Sequence, residues 1–178
     1  MWRRPAISQR SQKNKCTRYL CLVKVLFVLI YPHAFAYANN LDSLKIIDFK
    51  ADTLLFNNGT KVGVYQGHVK LTQGSRILTA EYATSYTNRT GAIVKIIAIG
   101  HPAKCRILVS QKQPVLIATG STIYYYPLQD YLEAVGDACI VQGHNHFQGV
   151  RLHYDFKKKT VGSPSSMQGH TRILLAPL

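Results

Sequence analysis

Tyr65-Gln-Gly-His-Val-Lys-Leu-Thr-Gln-Gly74 is the stretch that decides the fold. After Gly67 the alternation is strict: Val69 and Leu71 point one way, His68, Lys70 and Thr72 the other. Period two is the signature of a half-buried strand, and Gln73-Gly74-Ser75 turns the chain back. The same punctuation returns 69 residues later without a gap. There Gly136, Gln142 and Gly143 stand for Gly67, Gln73 and Gly74, and Gly120, Ile123, Tyr125 and Gly149 stand for Ala51, Leu54, Phe56 and Ala80. Gly100-His101 likewise falls on Gly169-His170. Identities are few, but they sit at turn glycines and at apolar positions two residues apart. A duplicated β unit keeps those features while its surface drifts.

Outward from this stretch, strands and turns alternate along the whole chain. Ala51 to Phe56 leads into the hairpin composition Asn57-Asn-Gly-Thr60. Ile77 to Tyr86 returns, and Thr87-Asn-Arg-Thr-Gly91 turns again. Ile93 to Ile99 is β-branched and apolar apart from Lys95 and the alanine at 98, which predicts a central strand. His101-Pro102 is expected to break or edge the ladder. Val115 to Tyr126, Tyr131 to Gln142 and Phe147 to Phe156 repeat the order, with turns at Pro127–Asp130, Gly143–Asn145 and Lys157–Lys159. Thr171 to Leu178 reads as a last strand or a loose tail. No segment carries a 3.6-residue apolar period, so the class is all-β.

Glycines at 67, 100 and 136 interrupt strands that continue on both sides, as bulges and tight bends do. Hairpins bent in this way build a curled sheet, a jelly roll or an open barrel. If the glycine parity faces inward, the lining comprises Val69, Leu71, Val94, Ile96, Ala98, Leu132 and Ile140, joined by Leu54, Phe56, Ile123, Tyr125 and Leu152. Tyr65, Ala134, Ala138 and Tyr154 share that parity.

The ends and the charge limit the function. Residues 1–38 read as a cleaved export signal: seven Lys and Arg without an acid, the short apolar run Val25–Tyr31, and Ala36-Tyr37-Ala38 as a cleavage site. The apolar run from Tyr19 contains Lys24 and falls short of the roughly 20 residues that a spanning helix needs. The whole chain has 22 Lys and Arg against 8 Asp and Glu; with seven cations lost before Asn39, a net +7 is left. That balance suits an anionic ligand or membrane surface. The cations are scattered in sequence apart from Lys157-Lys158-Lys159, so no nucleic-acid partner is expected. Cys105 and Cys139 follow repeat glycines closely enough to share a sheet face, leaving either a disulfide or two free thiols.

Ala51-Asp52, Tyr65 to Gly74, Ala80-Glu81, Ala98-Ile-Gly-His-Pro-Ala103, Gly136-Asp-Ala138, Gln142 and Gly149-Val-Arg-Leu-His-Tyr-Asp155 together resemble the OstA-like domain of the LptA family, periplasmic bridge proteins of lipopolysaccharide transport. The resemblance runs from about residue 48 to 160. It departs where Glu81, His68 and Asp137 replace the family's usual Asp, Asn and Asn. It implies a single V-shaped or twisted β jelly roll, built from repeated hairpins and open at its ends, over residues 39–162, with 163–178 as a terminal strand or tail. It also implies binding of the lipid A part of lipopolysaccharide by the apolar lining. The implied partners are an inner-membrane LptC-like protein and an outer-membrane LptD-like translocon, met through edge strands, with head-to-tail association of copies as a further state. The edges expected from chain order are Ile46 to Phe56 and the strand ending near Phe156.

Enzymatic and cofactor chemistry find little support. His144-x-His146 with His153 lacks a close carboxylate other than Asp155, so exposed turn histidines are the simpler reading than a metal site. Asp52 and Glu81 follow Ala51 and Ala80 in like contexts and read as structural. No Ser-His-Asp, HExxH or phosphate-cradling motif is present, and no cofactor is expected. The alternatives are a membrane-anchored, LptC-like paralogue of the same pathway and a carbohydrate-binding or enzymatic jelly roll.

Overall fold

The computed structural model describes residues 42–110, 113–164 and 170–175. The export signal proposed for residues 1–38 lies outside them. Ten strands form one antiparallel sheet: β1 (Ile47–Lys50), β2 (Thr53–Asn57), β3 (Val62–Gln73), β4 (Arg76–Thr87), β5 (Ile93–Ile107), β6 (Leu116–Tyr126), β7 (Tyr131–Gln142), β8 (Asn145–Asp155), β9 (Thr160–Gly162) and β10 (Arg172–Leu174). Two short 3-10 turns, Asp42–Leu44 and Pro127–Gln129, are the only helical elements among the described residues. No helix there is long and apolar enough to cross a membrane.

The long strands are bent in the middle along one line. Pairing slips between Gln66 and Val69, Thr79 and Tyr82, Ile99 and Ala103, Thr119 and Thr122, and Val135 and Ala138. Each slip leaves residues out of the ladder, which kinks the strand and raises its twist. The line divides the sheet in two. In the upper half β2 pairs with the first part of β3, and β9 with the last part of β8. In the lower half β1 pairs with the second part of β3, and β10 with the first part of β8.

The inner faces of the two halves fold onto one core. Phe49 of the lower half stacks on Tyr65 of the upper half with ring centroids 4.2 Å apart. Arg76 of the lower half donates to the Tyr125 hydroxyl of the upper half at 2.8 Å. This bent double layer is the jelly roll expected from the hairpins.

The backbone bears out the repeat. Lys61, Gly67, His68 and Gly74 have φ of 58°, 76°, 44° and 60°, and their counterparts Asp130, Gly136, Asp137 and Gly143 have 55°, 76°, 50° and 61°. At Gly67 and Gly136 the left-handed conformation and the lack of space both favour glycine: an added Cβ would lie 2.2 Å from the Asp52 carboxylate or 2.7 Å from the Ser121 hydroxyl.

The ladder breaks at His101-Pro102 as expected: Gly100, His101 and Pro102 fall in the slipped segment of β5, where no ladder donor is required, while β5 stays an internal strand. Three expectations need correction. Val94 leaves the inward row, since pairing slips again between Tyr86 and Thr87, and Ile93 packs on the core in its place. Cys105 and Cys139 sit on opposite faces: Cys105 pairs across with inward Leu78 and Ala118, Cys139 with Thr119 and Gln148. Both are free thiols. The strand ending near Phe156 is not an edge, because β9 and β10 cover it.

Candidate functional site

Cross-strand register assigns each lining residue to a row. In the upper half one row runs Leu54, Tyr65, Ala83, Ala98, Ile123, Ala134, Leu152. The next runs Phe56, Gly63, Ser85, Ile96, Tyr125, Leu132, Tyr154. In the lower half Phe49, Leu71, Leu78, Cys105, Ala118, Ile140 and Phe147 form the facing row, with Val69 beside the bend. Of the twelve residues chosen from sequence, all but Val94 therefore lie on inward rows.

These rows are closed at their centre and open at one end. Ile96, Ala98, Ile123, Leu132 and Ile140 have no solvent exposure, whereas Leu54 is 57% and Phe56 46% exposed. The reason is topological. β2 is an edge strand, so the inward face continues past the last covering strand and ends in water. The central lining is packed core, and an acyl chain can share it only if the two halves part.

A polar cluster that the sequence reading missed ties the halves together. Arg76 is buried against Asp130 (2.8 Å), Tyr125 (2.8 Å) and the face of Phe156 (3.8 Å to the ring centroid). Tyr125 in turn donates to the Gln73 side chain. Burial opposes the Arg76 charge, but Tyr125 and Asp130 outweigh it and hold the guanidinium protonated. Burial pushes the Tyr125 hydroxyl up to about 12 and the Cys105 thiol up to about 12. A signal was available: Arg76 shares the parity of inward Leu78, and an arginine at a core position needs a buried partner.

The outside of the bend carries histidine–carboxylate pairs. His68 Nδ1 lies 2.7 Å from Asp52, and His101 Nδ1 lies 3.2 Å from Glu81. The hydrogen bond to Asp52 raises the His68 pKa. Asp52 and Glu81 thus serve neighbouring histidines and do not form a catalytic pair with one another. His144 lies in the turn before β8, His146 pairs with Val141, and His153 stacks on Tyr131, so the three histidines do not converge. Among the described residues no group of three metal-ligating side chains comes together.

The profile of the family described as LptA/(LptD N-terminal domain) LPS transport protein matches residues 48–160. The chain belongs to this family. It is 30% identical over 117 residues to the lipopolysaccharide export system protein LptH of Pseudomonas aeruginosa, covering 66% of this chain and 67% of that protein. The crystal structure of LptH, described as the LptA-homologous periplasmic component of the lipopolysaccharide transport device of that organism, superposes with a TM-score of 0.71 at 26% identity. The match covers 76% of this chain and 99% of that one. The strand content and the bent sheet are those of this LptA-like fold, and the inward rows lie within the matched span.

Proposed function

We infer that this LptA-family chain carries lipopolysaccharide across the periplasm, holding the lipid A acyl chains between the two halves of its bent sheet. One observation carries the reading: within the family-matched span, two apolar rows run from a sealed interior to an open edge at Leu54 and Phe56. Acyl chains need a continuous apolar surface shielded from water, and a sheet face that ends exposed provides an entry. Entry requires the halves to separate, which exchanges one apolar contact for another and so need not expose the core. The protein is then a non-enzymatic carrier, exported by a signal cleaved near Ala38.

Handover takes place through the sheet edges, β1 and β2 at one side and β9 and β10 at the other. Among the described residues each edge presents backbone groups without a strand partner, to which a strand of an LptC-like or LptD-like partner, or of a second copy, can add. The direction of those groups follows from one hydrogen bond. Asp52 N–H donates to the Gly67 carbonyl, and antiparallel pairs alternate. Leu54 therefore bonds inward to Tyr65, while Thr53, Leu55 and Asn57 direct their N–H groups outward.

The test is a binding assay of the purified protein with lipopolysaccharide, comparing Leu71→Asp with Lys70→Asp. The neighbours Leu71 and Lys70 face opposite sides of one strand. Loss of binding in the first alone, with both variants folded by melting curve, supports the interior site. Equal binding by a folded Leu71→Asp protein contradicts it.

A further inference from the structure

The two outward faces of the bent sheet differ in charge in a way that the linear sequence hides. On the lower half the cations fall into cross-strand register: Lys50 opposite Lys70, with Thr79 and then Lys104 continuing the same row, and Arg172 at its far end. Arg106 stands in the adjacent row, between the half-buried Ile77 and Ile117. All five cations are exposed, and among the described residues none has an ion-pair partner. Asp48 is the one acid on the same rows.

The upper half is different. The outward cations on its strands are engaged: Arg151 pairs with Glu133 at 3.3 Å, and Lys95 lies over the rings of Tyr124 and Tyr126 at 5.0 and 5.8 Å, while Arg89, Lys157, Lys158 and Lys159 lie in turns. Lys50 and Lys70, by contrast, are like charges directly opposite one another, an arrangement that works against the sheet unless an anion lies over it. Neighbouring strands are about 4.8 Å apart, so the Lys50, Lys70 and Lys104 charges span roughly 15 Å of one sheet face. A single carboxylate or phosphate cannot serve all of them. An extended anionic surface can.

We propose that the outward face of the lower half is a docking surface for an anionic phospholipid bilayer. The apolar residues between the cations, Ile77, Ile117 and Val141, are half-buried and set no deep anchor, so attachment is electrostatic and reversible. This places the carrier beside a membrane leaflet through a face separate from the lipid-carrying interior, and Lys50 on β1 and Arg172 on β10 extend that face to the edge strands. It does not depend on lipopolysaccharide being the cargo.

The test is flotation of the full protein with phosphatidylcholine vesicles, with and without about 30 mol% phosphatidylglycerol, at low salt, where surface charges are least screened. Three variants are compared: the unaltered protein, Lys50→Gln/Lys70→Gln/Lys104→Gln, and the control Lys95→Gln/Lys157→Gln/Lys158→Gln with the same net charge. Each lysine removed from a docked face lowers partitioning about fivefold, so the first triple variant should lose about a hundredfold. The control should lose far less, and pure phosphatidylcholine should bind none of the proteins. Melting curves confirm that both variants are folded. Equal losses in the two triple variants, absence of binding by the unaltered protein, or lysine-dependent binding to lipopolysaccharide micelles but not to the anionic vesicles would each overturn the proposal.

Discussion

Leu54 and Phe56 in the first repeat correspond to Ile123 and Tyr125 in the second, and both pairs stand in the same inward rows. Their surroundings are opposite: Leu54 is 57% exposed, and Ile123 is not exposed at all. Side-chain chemistry does not explain the difference between Leu54 and Ile123, because both are large and aliphatic. β5 covers β6, whereas nothing among the described residues covers β2. The turns before the two long repeat strands differ as well. Lys61 donates to the side chain of Asn58 in the first, while its counterpart Asp130 captures Arg76 in the second. One duplicated unit has thus become an open mouth in the first copy and a latched core in the second.

The latch should give the largest effect. Asp130→Asn suits the left-handed turn yet leaves Arg76 buried without its counter-charge, and should destabilise by about 4 kcal/mol in chemical denaturation. Adding Arg76→Met should recover most of that loss. If Asp130→Asn alone is neutral, the two halves are held by packing and not by this pair.

Equivalent truncations should come next. Ile123→Ala should cost about 3 kcal/mol, since it opens a cavity in a closed core, and Leu54→Ala about 0.5 kcal/mol or less, as an exposed position does. Similar costs would mean that the first repeat is covered in solution.

Proline substitution sharpens the same contrast on one strand. Leu54→Pro removes an inward ladder bond and should cost about 1 kcal/mol or more. Leu55→Pro removes only an outward donor, so the fold should persist while strand addition by partners or copies weakens, as read by light scattering. Unchanged association would take β2 out of the interface.

The smallest effect concerns the thiols. With its pKa pushed to about 12 and its side chain in the core, Cys105 should resist alkylation in the native protein, whereas the half-exposed Cys139 should react. Mass spectrometry after brief iodoacetamide treatment reads this directly, and two modified thiols on folded protein would contradict the opposite-face assignment.

Much of this was legible in sequence for a physical reason. Turn glycines and period-two alternation report backbone conformation locally, so the repeat, the all-β class and most of the inward rows could be read from residues such as Gly67, Val69 and Leu71. Three things were not local. A second slip at Tyr86–Thr87 exchanged Val94 for Ile93, and no glycine marks it. Whether Leu54 is core or mouth depends on which strand lies beside β2, which is a property of topology. The cations at 50, 70 and 104 are scattered along the chain and meet only through register. Arg76 was the one avoidable miss, since its parity already placed a charge among apolar neighbours.

The central claim is that the acyl chains of lipopolysaccharide occupy the inward rows and not the outer faces. Photoreactive residues placed one at a time at Ile123 and Tyr124, adjacent on β6 but on opposite faces, test it most directly in cells making lipopolysaccharide. The account predicts a lipopolysaccharide adduct from position 123 and none from position 124. An adduct from 124 alone, or equal adducts from both, would contradict it.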